Sequence, residues 1–330
     1  MVRLWTAATV LALLVAPARA EPETVTVQLV RSIAQAPYYI AVAKDYFAQE
    51  GIKVESGDVR SALDTIGPLA TGRLDVSMGT ATAGFFNAAN QGFDLRIVAA
   101  GGIQGPVMAT QPVVRKALWD DGTIRSAKDY RGRKVAINAP GDVNEYFLTL
   151  LAEKYGMTLK DMNVTPLAFG AQIVAYKNGA IDAGFLPEPV SSAAQLEGFV
   201  ALNTTDAGIG TGTVTGYVFY GTKFMHERPK VALAFLRAMV RAARDAQGPY
   251  LKDPTISASI AKQTGLKIEA IQHATPYAID PDLDIAKYVD KIRRVEAVQR
   301  QNGRLNYDKP LSFENVIDAS LVHEAAASVK

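Results

Sequence analysis

The sequence predicts an α/β protein made of two similar lobes, and three observations lead there. Leu69-Ala70-Thr71-Gly72-Arg73-Leu74-Asp75-Val76 is echoed by Tyr176-Lys177-Asn178-Gly179-Ala180-Ile181-Asp182-Ala183, with the paired glycines and the paired aspartates each 107 positions apart. In both copies an apolar helical run stops at glycine, the usual residue for a left-handed helix end. An aliphatic–Asp pair then opens a short strand. The context upstream repeats as well: Tyr46-Phe47-Ala48-Gln49-Glu50-Gly51 and Leu151-Ala152-Glu153-Lys154-Tyr155-Gly156 both close a helix on glycine, 105 positions apart. Finally, strand-like and helix-like periodicities alternate along the chain. A repeat of this size implies two α/β blocks, and two such blocks enclose a cleft.

Residues 1–20 have the pattern of a secretory signal. Arg3 provides the positive start, Leu4 to Val15 the apolar stretch, and Ala18-Arg19-Ala20 a small-x-small cleavage site before Glu21. The apolar stretch is shorter than the roughly 20 residues a membrane span needs, so the mature chain is expected to begin at Glu21. The whole chain carries a net charge of +2, and Arg3 and Arg19 account for it. A neutral mature protein argues against nucleic acid or an anionic membrane surface as partner. The absence of cysteine excludes disulfides, thiolate catalysis and cysteine-ligated metal. It also excludes a lipid anchor, which needs a cysteine at the cleavage point. A soluble, monomeric protein of the periplasm is expected.

The elements follow in order. Thr24 to Leu29 alternates with Val25, Val27 and Leu29 on one face, a strand. After a polar loop, Pro37 suits the first turn of a helix, and Tyr39, Val42, Ala43, Tyr46 and Phe47 form its buried stripe. Strands are expected at Ile52–Glu55, Leu74–Met78 and Leu95–Ala100. Between them lie a helix at Ser61–Thr71, interrupted at Gly67-Pro68, and another at Ala83–Asn90. Gly101 to Pro106 marks a crossing to the second lobe. That lobe holds Val113-Val114, strand Lys134–Asn138, helix Val143–Tyr155, strand Asn163–Leu167, helix Ala171–Asn178, and strands Ile181–Leu186 and Phe199–Leu202. Thr213 to Tyr220 crosses back. Helices near Pro229–Ala246, Thr255–Gln263, Ile268–His273 and Asp284–Gln301 complete the chain. The expected division is 1–20 as signal, 21–104 with 216–330 as lobe 1, and 105–215 as an inserted lobe 2.

Four phrases in order resemble a known family. They are Ala36-Pro37-Tyr38-Tyr39-Ile40-Ala41-Val42-Ala43-Lys44-Asp45-Tyr46-Phe47-Ala48-Gln49-Glu50-Gly51-Ile52, Ala70-Thr71-Gly72-Arg73-Leu74-Asp75-Val76, Asp129-Tyr130-Arg131-Gly132-Arg133-Lys134-Val135-Ala136, and Gly179-Ala180-Ile181-Asp182-Ala183 with Glu188-Pro189. Together they are similar to the periplasmic solute-binding proteins of the nitrate/sulfonate/taurine and thiamine-precursor type, which feed ABC importers. Asp45 stands where the family usually has glycine. The resemblance implies an α/β bilobal type II periplasmic-binding-protein fold, its two lobes joined by a two-segment hinge, with no catalysis and no cofactor. It also implies an ABC permease of the inner membrane as partner. The solute would be a small organic molecule, with a sulfonate- or carboxylate-type anion favoured. A ligand-sensing module for a membrane receptor and a periplasmic enzyme are the alternatives.

Ligands in open α/β sheets sit outside the carboxyl ends of the strands, where helix N-termini favour anions. The loop after the first strand offers Ser32 and Gln35 as donors, with Tyr38 and Tyr39 at the helix start; Tyr39 also fits the buried stripe. Ser61 is a contact or a cap. In the family, the end of the third strand faces the ligand, which points to Thr80 and Thr82. In lobe 2 the loop Asn138-Ala139-Pro140-Gly141-Asp142-Val143-Asn144 offers Asn138, close approach at Gly141, and the backbone N–H groups of Asp142, Val143 and Asn144, while Asp142 or Asn144 can instead cap the helix. Glu188 is a ligand acceptor or a cap, and Tyr217 reaches the cleft or the core. His226, His273 and His323 stand singly, without partners at metal spacing, so no metal site is expected.

Overall fold

The computed structural model describes residues 21–329, so the expected signal segment lies outside the described residues. The strands, in chain order, are β1 (Glu23–Leu29), β2 (Ile52–Asp58), β3 (Val76–Gly79), β4 (Leu95–Ala100), β5 (Gly102–Ile103) and β6 (Thr110–Arg115). They continue with β7 (Lys134–Ile137), β8 (Asn163–Pro166), β9 (Ala183–Pro187), β10 (Val200–Leu202), β11 (Tyr217–Gly221) and β12 (Ala278–Ile279).

Two five-stranded mixed sheets form the two lobes, ordered β2-β1-β3-β11-β4 and β10-β6-β9-β7-β8. Read from its other edge, the second is β8-β7-β9-β6-β10, the same arrangement as the first. In each, three parallel strands are followed by one antiparallel strand: β11 runs against β3 and β4, and β6 against β9 and β10. Both of these antiparallel strands follow a crossing, so each sheet contains a strand delivered from the other side of the hinge.

The repeat in the sequence has a structural cause. Gly72 and Gly179 take φ of 69° and 71°, and Gly51 and Gly156 take 73° and 63°, a region costly for residues with a Cβ. The repeated aspartates do the same work in each lobe. Asp75 accepts from the backbone N–H of Thr26 in β1 at 2.9 Å and pairs with Arg228. Asp182 accepts from the backbone N–H of Lys134 in β7 at 3.2 Å and pairs with Arg115. Each carboxylate thus ties the start of one parallel strand to its neighbour.

The helices pack as the periodicity implies. The Ala36–Ala43 helix and the Pro229–Asp245 helix share one core, with the rings of Phe47 and Phe235 4.8 Å apart. The expected continuous run through Phe47 is broken at Asp45, whose φ is 55°. The left-handed turn is kept where glycine would have made it cheap, and Tyr46–Gln49 restarts as a separate turn. Gly67-Pro68 likewise splits the expected Ser61–Thr71 helix into a 3₁₀ turn, Ala62–Thr65, and a helix, Ile66–Ala70. Pro68 falls in the first turn of that restart, where a missing N–H is tolerated.

The hinge is tighter than two flexible crossings. β5 pairs with β12, and Ile103 bridges to Val214, so a third segment joins the two crossings. A Cβ on Gly216 would lie 2.5 Å from Ala34 O and 2.7 Å from Gly102 N; only glycine allows the backbones this close. The Val289–Gln301 helix and the turn after it also touch both lobes. Gln299 Nε2 donates to Asp142 O at 3.2 Å, Asn302 Nδ2 to Thr149 Oγ1 at 2.9 Å, and Asn87 Nδ2 to Arg304 O at 3.0 Å. The sequence predicts the helix but not that it straps the two lobes.

Candidate functional site

Between the lobes lies a cavity of about 30 Å³, room for about two waters. Backbone hydrogen bonds close it across the lobes: Ile33 N–H to Glu188 O at 3.0 Å and Ala83 N–H to Gly141 O at 2.7 Å. A wider chamber of about 390 Å³ adjoins it, sharing Val30, Asn138 and Phe169. Val30 follows β1, Gly79 ends β3, Asn138 follows β7, and Pro187 ends β9. The cavity therefore lies at the carboxyl ends of the parallel strands of both sheets, as expected for α/β folds.

Among the residues expected at the site, Ser32, Gln35, Ser61 and Thr80 line the cavity from the first lobe, and Asn138, Asp142, Val143 and Asn144 from the second. The chemistry of several differs from expectation. Ser32 Oγ accepts from Ala34 N–H and donates to Glu188 O at 3.3 Å. Ser61 forms a capping box with Asp64. The expected backbone donors of the second lobe are largely engaged: Asn144 and Glu145 N–H both donate to Asp142 Oδ1, and Asp142 N–H donates to Ala139 O at 3.4 Å. The helix N-terminus that was to meet an anion is thus capped by its own carboxylate.

Six expected residues stand elsewhere. Tyr38 and Tyr39 are buried in the first lobe's core, in edge-to-face contact with each other, because the helical stripe decides their direction. Tyr217 points into the second core cluster and packs on Phe219. Thr82 caps the Ala83–Asn90 helix by accepting from Phe85 N–H. Gly141 has φ 72°, and a Cβ there would meet Ala83 Cβ at 2.5 Å; it is a point of close contact between the lobes. Glu188 is a cap and a bridge: its carboxylate accepts from Ser192 N–H and Oγ, and from Thr275 N–H across the cleft at 3.2 Å.

The floor of the cavity was not foreseen. Thr110 and Tyr277 hydroxyls lie 2.8 Å apart, Ser32 and Thr215 line the same floor, and Thr215 Oγ1 donates to Gly102 O at 3.1 Å. This hydroxyl cluster joins the first lobe, the second lobe and the hinge. Phe169, at the start of the Phe169–Lys177 helix, forms an apolar wall shared by both chambers. Phe169 and Thr110 could have been found by the strand-end reasoning that found Thr80; Tyr277 arrives from a distant segment and has no local signal.

Charge in the cavity is one-sided. Asp142 is its sole charged lining residue among the described residues. Burial, opposed by its capping bonds, raises its pKa to about 7. Burial raises that of Glu188 to about 7 as well. Two buried acceptors, Gln35 Oε1 and Asn138 Oδ1, have no hydrogen-bond partner. The arginines, Arg31 and Arg60, stand in the outer chamber, paired with Asp58 and Asp64.

The family described as NMT1/THI5 like matches residues 32–249, and the chain belongs to it. Its fold is that of the periplasmic binding proteins. The chain is 26% identical over 239 residues to the taurine-binding periplasmic protein of Escherichia coli (strain K12), spanning 72% of this chain and 70% of that protein. Its structure resembles that of the periplasmic aliphatic sulphonate binding protein SsuA from Escherichia coli, with a TM-score of 0.70 at 17% identity over 90% of this chain and 92% of that one. The fold is shared, too, by the desulfurization enzyme DSZB, at a TM-score of 0.62 and 13% identity over 92% of this chain and 99% of that one. No helix among the described residues is long and apolar enough to cross a membrane, and no cluster of metal-binding side chains occurs among them.

Proposed function

We propose that this chain is the solute-binding component of an ABC-type importer. It captures a small organic solute bearing a sulfonate or carboxylate group between its lobes and delivers it to a permease of the inner membrane. The observation that carries this reading is the cavity itself, lined from both lobes and from the hinge and closed by hydrogen bonds that cross between them. A solute touching both sides favours the closed form by its differential affinity, and the permease can then read closure. The moving bodies are 21–104 with 216–330, and 105–215. Export by residues 1–20 places the mature protein in the periplasm. A binding role fits the site better than catalysis: the chain has no cysteine, and no histidine lines the cavity to activate Ser32 or Ser61.

A thermal-shift screen of sulfonates, carboxylates, pyrimidines and nitrate tests the reading. A true ligand at 100 times its dissociation constant adds about 2.7 kcal/mol to stability, an upward shift of several degrees. Stabilisation by an organic acid, without its turnover, is the expected result. Conversion of the solute by the purified protein, or no stabilisation by any class, would overturn it.

A further inference from the structure

We infer that residues 284–315 form an arm of the first lobe that positions the second lobe's wall of the solute cavity. Gln299, Asn302 and Arg304 hold the Val143–Lys154 helix in the closed arrangement from outside that cavity. The inference rests on the binding-protein reading above and deepens it, because it names what sets closure of that site. Three observations carry it.

The arm is anchored in the first lobe at both ends. It leaves β4 where Ala100 N–H donates to Leu283 O at 2.9 Å. It returns where Ile97 N–H donates to Val316 O at 2.9 Å and Asp318 N–H to Ile97 O at 3.0 Å. Asn87, also of the first lobe, holds its middle by donating to Arg304 O and accepting from Asn306 N–H at 2.9 Å. Toward the second lobe, the arm's hydrogen bonds among the described residues all run through its side chains. Backbone pairing at two points ties the arm to the first lobe, so opening must part it from the second.

The contacts that opening would part lie along one face of the helix that carries the solute wall. Asp142, Glu145, Thr149 and Glu153 follow one another at intervals of three or four residues, the spacing of a single helical face. Asp142 O accepts from Gln299 Nε2 at 3.2 Å and the Glu145 carboxylate from Arg304 Nε at 3.0 Å. Thr149 Oγ1 accepts from Asn302 Nδ2 and Glu153 Oε1 from Gln301 Nε2, both at 2.9 Å. Asp142, Val143 and Asn144, at the start of this helix, line the inner cavity. Gln299, Asn302 and Arg304 line neither it nor the outer chamber.

The same contacts close a ring across the cleft. Glu145 Oε2 accepts from Gly141 N–H at 2.7 Å, and Gly141 O accepts from Ala83 N–H at 2.7 Å. The helix that starts at Ala83 carries Asn87, which donates to Arg304 O, and Arg304 returns to Glu145. The Glu145 side chain is wholly buried, so opening takes its cation from a carboxylate that has one other donor, and this resists opening. A solute's apparent affinity is its affinity for the closed form scaled by the fraction closed. The arm therefore sets affinity through residues outside the cavity.

Pulsed electron resonance on the mature chain without solute tests the inference. The chain has no cysteine, so Lys262→Cys in the first lobe and Val174→Cys in the second take one spin label each. Both positions are exposed, and their neighbours Thr264 and Ile173 face each other across the outer chamber. With the arm intact, a single short distance is expected to dominate. In Arg304→Ala/Glu145→Gln the ratio of short to long distances is expected to fall about tenfold or more, the effect of one hydrogen bond to a charged group. Gln301→Ala/Asn302→Ala, which keeps the buried pair, is expected to lower it about threefold or more, and it decides the matter if the first variant does not fold. A merely structural arm would lower the melting temperature and leave the distances unchanged. Distances unchanged in the folded variants, or a long distance already dominant with the arm intact, overturn the inference. Either result leaves the binding-protein reading intact, since that reading stands or falls with the thermal-shift screen.

Discussion

Arg304→Ala is expected to cost about 1–3 kcal/mol, the usual effect of leaving a buried acceptor without its partner, because Glu145 is buried while the Arg304 side chain is 39% exposed. The Glu145 side chain is completely buried, and Arg304 Nε donates to both its carboxylate oxygens at 3.0 Å. Its other donor is the backbone N–H of Gly141 at 2.7 Å. Without the guanidinium, a buried carboxylate keeps one neutral partner and must take up a proton or pull water in. The pair also spans the cleft: Glu145 lies in the Val143–Lys154 helix of the second lobe, while Arg304 O accepts from Asn87 in the first. Denaturant unfolding of Arg304→Ala and of the double variant Arg304→Ala/Glu145→Gln separates the causes. The double variant recovers part of the loss, because the uncompensated charge is gone. A cost below about 1 kcal/mol for the single variant would mean that the pair behaves as an exposed one.

Stability is expected to fall as pH rises from about 4 to about 7. Asp142 and Glu188 have pKa values raised from 3.8 and 4.5 to about 7, burial being the first cause for each. A folded-state pKa above the unfolded value means that the folded state binds the proton more tightly, so each contribution is complete below the unfolded pKa. It is lost as pH approaches the folded value. At 1.36 kcal/mol per unit the loss is on the order of 4 kcal/mol for Asp142 and 3 kcal/mol for Glu188. Asp206 and Asp245 act oppositely: burial alone would raise their pKa values, but hydrogen bonds from Lys154, Tyr155, Ala127 N–H and Asn203 to the first, and from Lys44 and Tyr46 with the nearby charges of Lys44 and Arg241 to the second, together lower them, so their support disappears only in stronger acid. Unfolding midpoints in urea at pH 5 and pH 8 check the sign. The wild type is more stable at pH 5, and Asp142→Asn with Glu188→Gln flattens the profile. Higher stability at pH 8 would contradict the assignment.

Both carboxyls were visible in the sequence, and their state was not. Asp142 stands before a helix, as a cap must, and Glu188 sits at the end of the strand that repeats β3. What the sequence lacks is the neighbourhood: Thr275 reaches Glu188 from 87 residues away. The same distinction runs through the fold. Gly72, Gly179, Asp75 and Asp182 were legible because their roles are local, a left-handed turn and a tie between adjacent strands. Tyr38, Tyr39 and Tyr217 were ambiguous because a tyrosine beside a cleft has two faces to choose from, and packing with Phe47 and Phe219 decided for the core. Tyr277 and the Arg304 strap come from the C-terminal segment, whose helical periodicity records that it packs but not against what. At the Val143–Lys154 helix the sequence allowed both an anion site and a cap by Asp142, and the structure has the cap. A helix N-terminus attracts anions when its N–H groups are free, and here a side chain of the chain itself takes them.

The central claim is that one solute bridges the two lobes at the cavity between Gln35 and Asn144. A crystal structure of the mature chain with the most stabilising organic acid from the thermal-shift screen tests it most directly. The solute is expected in contact with at least one of Gln35 and Thr80 on one side and one of Asn138 and Asn144 on the other, with the lobes closed around it. A solute seated on the outer surface, or touching one lobe alone, would contradict it.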